Sequence, residues 1–174
     1  MSKMSTRTPH NDAPPSRTLG VDPGFGRCGL AVVEKEGGRE RVLFSMCIET
    51  EATSSFPERL VTIVETCSSI IEKHRPHAMA LERLYFNSNQ KTAMQVSEAR
   101  GALIYCAARA GLSIHEYTPG QVKAATAGWG RSDKQAVERM VGLLTGISTK
   151  AMRDDEVDAI AVGLTHLAHT RMPR

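Results

Sequence analysis

Four carboxylates stand where a purely structural chain has little use for them. Asp22 closes the apolar run 18–21 and is followed at once by the turn signal Pro23-Gly24. Glu82 closes Met79-Ala80-Leu81. Asp155 and Asp158 open a segment of helical period, and at that spacing they take neighbouring directions on the helix. Each acid taken alone has an ordinary explanation. An acid at a strand end meets water or an arginine, and acids in the first turn of a helix are favoured by its dipole, with Asp154 as a good N-cap. The joint pattern is harder to explain that way. If the two strands lie side by side and the helix packs on them, the acids meet, and four cannot all ionise in one place without cations between them. Oxygen ligands select hard cations such as Mg²⁺ or Mn²⁺. Two such ions, about 4 Å apart, form a clamp for in-line displacement at a phosphoryl group.

The elements that must position these acids are legible in order. Residues 18–21 and 28–33 are apolar runs joined by Asp22-Pro23-Gly24, which reads as a hairpin. Gly37-Gly38 marks a second turn, and residues 41–48 make a third strand, giving an antiparallel meander. Residues 57–74 form an amphipathic helix with Leu60, Ile63, Val64, Cys67, Ile70 and Ile71 on one stripe, ended by Pro76. A short strand follows over 77–84, then the loop Tyr85-Phe86-Asn87-Ser88-Asn89. Residues 90–110 form a long helix rich in Ala and Gly, capped by Gly111. A fifth strand over 113–117 and a short helix over 119–127 come next. Gly128-Trp129-Gly130-Arg131 is a loop, and the helix over 132–144 opens on a capping box, Ser132 with Gln135. The last helix, 154–169, carries Val157, Ile160, Ala161, Leu164 and Ala168 as its apolar stripe, with Asp155 and Asp158 flanking it. The whole predicts an α/β domain over 18–174, preceded by a disordered tail over 1–17 rich in Ser, Thr and Pro.

The chain has 174 residues, 41% apolar and 24% charged, enough for one domain with a proper core. A net charge of +3 is compatible with a polyanionic partner, and contacts to phosphate then depend on local lysines. Cys28, Cys47, Cys67 and Cys106 each sit in an apolar run without metal-ligand spacing, which reads as reduced thiols in a reducing compartment. No apolar stretch approaches the length of a membrane span and the N-terminus has no apolar signal core, so the expected location is cytoplasmic, with no membrane partner.

Several polar and aromatic groups suit a nucleic-acid substrate. Lys134 stands in the first turn of its helix, where a cation opposes the dipole, but a phosphate bound at that helix start would welcome it. Tyr85 and Phe86 lie in a polar loop beside Glu82, and rings on such loops stack on bases of distorted or unpaired DNA. Arg131 is a further candidate contact in the glycine-flanked loop, where Trp129 more often packs locally. His115, His166 and His169 suit capping or surface roles rather than ligation.

The motifs Leu19-Gly20-Val21-Asp22-Pro23-Gly24, Ala80-Leu81-Glu82, Glu98-Ala99-Arg100-Gly101, Gln121-Val122-Lys123, Ser132-Asp133-Lys134 and Asp155-Glu156-Val157-Asp158-Ala159-Ile160-Ala161 occur in an order and spacing that resemble the RuvC family of Holliday-junction resolvases, within the ribonuclease-H-like superfamily. The resemblance covers nearly everything from Thr18 onward. It implies a five-stranded mixed sheet, an antiparallel meander of strands 1–3 plus parallel strands, flanked by helices. It implies that Asp22, Glu82, Asp155 and Asp158 are the catalytic acids and hold two Mg²⁺ or Mn²⁺ ions per subunit, and that Lys123 and Lys134 contact the DNA backbone. It places either Tyr85 or Phe86 at the junction centre. It further implies a homodimer, to which helix 90–110 contributes, and a branch-migration motor as partner. The implied activity is paired symmetric nicking of four-way DNA junctions in recombination and repair. Two rival readings are set against it. An actin-like ATPase also places an acid and a glycine turn after its first strand, but needs two such domains and a second phosphate loop. A module that binds branched DNA without cutting has no use for all four acids.

Overall fold

The structure is a computed structural model that describes residues 16–83, 90–127 and 134–170. The expected loop with Tyr85 and Phe86, the loop with Trp129 and Arg131, and the capping residue Ser132 lie outside the described residues, as does the chain before Ser16.

Five strands form a single sheet: β1 (Ser16–Asp22), β2 (Arg27–Glu36), β3 (Arg39–Glu49), β4 (Ala78–Glu82) and β5 (Ser113–Tyr117), in the spatial order β3-β2-β1-β4-β5. β1, β2 and β3 pair antiparallel, whereas β4 pairs parallel with both β1 and β5. The expected mixed sheet is therefore present. The strands of the meander run longer than their apolar cores suggest. Gly37 and Gly38 both have positive φ, 56° and 88°, so they make a two-residue turn of the kind that pairs its flanks directly, and β3 starts at Arg39 rather than at 41. A register shift at Val32/Val33 leaves Leu43 out of the ladder, as a bulge. β1 starts at Ser16, inside the segment expected as tail, because Arg17 is held at both ends of its guanidinium. Its Nε donates to Glu34 Oε2 at 2.6 Å and its Nη1 to the His74 carbonyl at 2.9 Å.

Helices cover both faces. α1 (Phe56–His74) and α2 (Gln90–Arg109) lie on the side to which Leu19, Val21, Leu30, Val32, Met79 and Leu81 point. α1 begins as its sequence dictates: Glu58 Oε2 accepts from the Ser55 amide and hydroxyl, both at 2.8 Å, with Pro57 in the first turn. Arg75, in the left-handed region, ends it. α5 (Asp154–His169), with α3 (Pro119–Ala127) and α4 (Lys134–Thr145), packs on the other side against Ala31, Val33 and Ala80. Nearly every residue of α5 from Val157 to Leu167 is buried, a wider buried surface than the stripe read from its period, while Ala168 is exposed. Burial includes His166, whose Nδ1 lies 2.8 Å from the Tyr117 hydroxyl and whose ring stacks on His115 at 4.3 Å between centroids. The surface role expected for His166 is thus replaced by a place in the core. Burial, and then the neighbouring His115 and His169, push its pKa down to about 4, so it packs there as a neutral ring.

α5 lies against the sheet with no side chain between them at two points. A Cβ on Gly20 would stand 2.1 Å from the Ala159 carbonyl oxygen, and one on Gly29 would stand 1.8 Å from that of Asp155. Backbone oxygens cannot rotate away, so both positions must be glycine. Gly20→Ala and Gly29→Ala are each expected to lower stability by about 3 kcal/mol in thermal or urea unfolding. Gly120→Ala, whose Cβ would make an ordinary contact 3.8 Å from Thr118 Oγ1, serves as the control and should stay within about 0.5 kcal/mol of the parent.

Candidate active site

Strand alternation decides where the first two acids point. Leu19 and Val21 face α1 and α2, so Gly20 and Asp22 face α5. Ala80 lies in the α5-side core, and Glu82, two residues on, follows it to the same face. β1 and β4 are parallel with Val21 opposite Leu81, which puts Asp22 and Glu82 side by side at the same end of the sheet. On its other flank Asp22 is paired with Gly29, the residue against which the Asp155 backbone rests. One helical turn further, Asp158 reaches the same mouth. It lines a cavity of about 290 Å³ together with Glu82, Pro119, Val122, Lys123, Lys134 and Val137. A larger hollow, about 420 Å³, lies between β3 and α1 and touches none of the acids. The structure therefore brings all four sequence-predicted acids, with Lys123 and Lys134, to one end of the sheet.

Their electrostatics show how closely they crowd. Asp22 is pushed up from 3.8 to about 7, first by burial and then by the charges of Asp158, Asp155 and Glu82, with Lys134 opposing. Glu82 is raised by burial and by Asp158, and Lys123 works against that. Asp158 is raised by burial despite Lys134 beside it. The cluster holds more negative charge than its own cations neutralise.

Two basic side chains engage the helix acids. Arg27 Nε lies 3.2 Å from Asp155 Oδ2, and Lys134 Nζ lies 3.1 Å from Asp154 Oδ2 and 3.5 Å from Asp158 Oδ2. Burial works against the charge on Lys134, but its hydrogen bond to Asp154 and the neighbouring carboxylates raise its pKa overall. These contacts revise two expectations. Asp154 is not the N-cap of α5; Arg153 is, and Asp154 is the first helical residue with its carboxylate turned to Lys134. Lys134 also gains a local partner, so its place at a helix start does not by itself demand a phosphate. Among the described residues no three acids, histidines or cysteines form a ready-made metal cage. The donor set nonetheless suits hard divalent ions: carboxylates alone, crowded enough to push the pKa of Asp22 up to about 7.

Arg27 was not singled out from the sequence, Gly20 and Gly29 were given no part in seating the helix, and Cys47 was named only as a reduced thiol. Cys47 Sγ lies 3.9 Å from Asp155 Oδ2, and burial raises its pKa, so it stays a thiol. Glycine inside an apolar strand is a legible sign of close backbone approach, and it stands in both Leu19-Gly20-Val21 and Cys28-Gly29-Leu30.

The raised Asp22 has a thermodynamic consequence. Between its unfolded value of 3.8 and its folded value of about 7, the folded state binds the extra proton, so stability falls as pH rises through that window. Asp22→Asn removes this penalty. In the presence of chelator, the melting temperature of Asp22→Asn should exceed that of the parent by a margin that widens from about pH 4 to pH 7 and then levels. A margin independent of pH would mean that Asp22 is not crowded.

Comparisons with known proteins address the family of the chain. The family model described as crossover junction endodeoxyribonuclease RuvC matches residues 18–166. A RuvC from Moorella thermoacetica is 45% identical over 148 residues, 85% of this chain and 89% of its relative. One from Desulfitobacterium hafniense is 41% identical over 152 residues, 87% of this chain and 92% of the relative. The solved complex of T. thermophilus RuvC with Holliday junction substrate superposes with a TM-score of 0.85 at 32% identity, over 90% of this chain and 96% of that one. A sheet with its acids gathered at one end and a family match over residues 18–166 lead to one assignment: this protein belongs to the RuvC family of crossover junction endodeoxyribonucleases.

Proposed function

We propose that this chain is a structure-selective endonuclease that resolves four-way DNA junctions by paired symmetric nicks, using two divalent ions, Mg²⁺ or Mn²⁺, per subunit. The observation that carries the reading is the convergence of acids from β1, β4 and α5 on one cavity mouth with two lysines beside it. When bound, the two ions would lower the pKa of an attacking water and stabilise the leaving 3′ oxygen.

The protein's own groups do the rest. Asp22 is central, with Glu82 on one flank and the α5 acids on the other, so it is the carboxylate that would be shared between the two ions. Glu82, Asp155 and Asp158 would hold the ions with it, and to do so Asp155 would give up Arg27 and Asp158 would give up Lys134. Lys123 and Lys134 at the cavity are set to neutralise the phosphate flanking the cut. Tyr85 or Phe86, two and three residues beyond Arg83, would stack at the opened junction centre, and Arg131 would add a backbone contact. Products would carry 5′-phosphate and 3′-hydroxyl ends. All four cysteines are free thiols, which fits the reducing cytoplasm.

Two opposed cuts require two active sites related by the near two-fold symmetry of the junction, hence a homodimer. α2 supplies a face for it. Met94 and Tyr105 are 72% and 60% exposed, and between them Gly101 opens onto free space, so a second helix can approach its backbone closely. Glu98 and Ala108 continue the same exposed stripe.

The test is a synthetic mobile junction and a matched linear duplex, each incubated with Mg²⁺, Mn²⁺ or chelator. Symmetric metal-dependent nicks in the junction alone are expected, and metal-indifferent binding without cutting would reduce the protein to a binding module. Asp22→Asn should slow cleavage by about three orders of magnitude, equivalent to about 4 kcal/mol of barrier, while junction binding persists in a gel-shift assay. Tyr105→Asp should weaken the dimer at least about 30-fold in sedimentation equilibrium, as loss of an aromatic anchor does. An unchanged mass distribution would move the interface off α2.

A further inference from the structure

Asp154 is the residue at the site that neither the coordination scheme nor the DNA contacts account for. Its side chain is 75% exposed, against 38% for Asp158, and the two share one ammonium: Lys134 Nζ stands 3.1 Å from Asp154 Oδ2 and 3.5 Å from Asp158 Oδ2. The lysine comes from the first residue of α4, and the two acids are one helical turn apart on α5. Lys134 thus has an outer and an inner carboxylate at once. The other charges facing this group are Glu82 on β4 and Lys123 on α3, which line the same cavity, Asp155 on α5, which acts on Asp158, and Asp22 on β1, whose charge state Lys134 influences.

We propose that Asp154 is a positioning residue that keeps Lys134 at the cavity mouth when Asp158 is given over to a divalent ion. The inference rests on the two-ion reading above. With both acids present, Lys134 can give up Asp158 and still keep Asp154. The ammonium then stays where a DNA phosphate arrives instead of swinging into solvent on its flexible stem. Without Asp154, Lys134 pairs with Asp158 alone, and an incoming ion must break the whole of that attachment. Exposed pairs of this kind are weak, so the effect on ion binding is modest, about two- to five-fold.

The experiment is Mn²⁺ binding without DNA, measured by electron paramagnetic resonance or calorimetry, on the parent, Asp154→Asn, Asp154→Glu, Lys134→Gln, the double variant Asp154→Asn/Lys134→Gln, and Asp22→Asn. Asp154→Asn should weaken Mn²⁺ about two- to five-fold, Asp154→Glu should restore it, and the loss should vanish when Lys134 is already Gln. An equal loss in both backgrounds would mean that Asp154 acts by its charge alone, and no loss would mean that it does not act on the ion site; either overturns the proposal. Mn²⁺ binding that Asp22→Asn leaves intact would instead defeat the two-ion reading itself. Because the Asp154 side chain projects into solvent, Asp154→Asn should melt within a few degrees of the parent, which separates positioning from damage to the fold.

Discussion

The architecture depends on one close contact, the laying of α5 directly onto β1 and β2 at Gly20 and Gly29. With any larger residue at either position the helix would ride higher and its first turn would lift away from the strand ends. The Asp155 carbonyl is itself the atom that a Cβ on Gly29 would strike, so the contact that seats the helix also seats an acid. Gly163 continues the seam further along, with its α-carbon side against Gly20 and the Val33 methyl. The buried flank of α5 from Val157 to Leu167 then supplies the apolar attraction that holds the helix down.

That attraction is needed because the site itself opposes folding. Acids that would repel one another in water are gathered into a partly dry mouth, and Asp22 bears most of the strain. Arg27 and Lys134 offset part of it through Asp155 and Asp158, yet both basic residues are more than half exposed, so their pull is softened by solvent. The arrangement is a local weakness of the kind that functional sites carry, supported by the hydrophobic layers on either side of the sheet.

Much of this was legible in the chain. Alternation in Leu19-Gly20-Val21-Asp22 and in Met79-Ala80-Leu81-Glu82 gives both the strands and the common face of their acids, and the apolar stripe from Leu60 to Ile71 announces α1. Those signals are local, so a single stretch contains them. What escaped the reading depends on partners far away in sequence. That Gly20 and Gly29 are compelled to be glycine follows from a helix more than 120 positions downstream. That Lys134 has chosen Asp154 and Asp158, and Arg27 has chosen Asp155, follows from where α4 and the β1–β2 turn come to rest. His166 carries no local mark of its burial either. Its period on α5 suggests the acids' side, and only the approach of β5 with Tyr117 and His115 turns it into a core residue.

The Leu43 bulge has an effect on assembly. β3 is an outermost strand, and an unbroken outer strand invites another chain to extend the ladder. The misfit at Leu43 breaks the regular spacing of hydrogen-bonding groups along that margin, and the opposite margin, β5, offers five residues. Growth of the sheet into a fibril or a continuous two-chain sheet is thereby discouraged at both borders. The acids of β1 and β4 stand on inner strands, away from both of these borders.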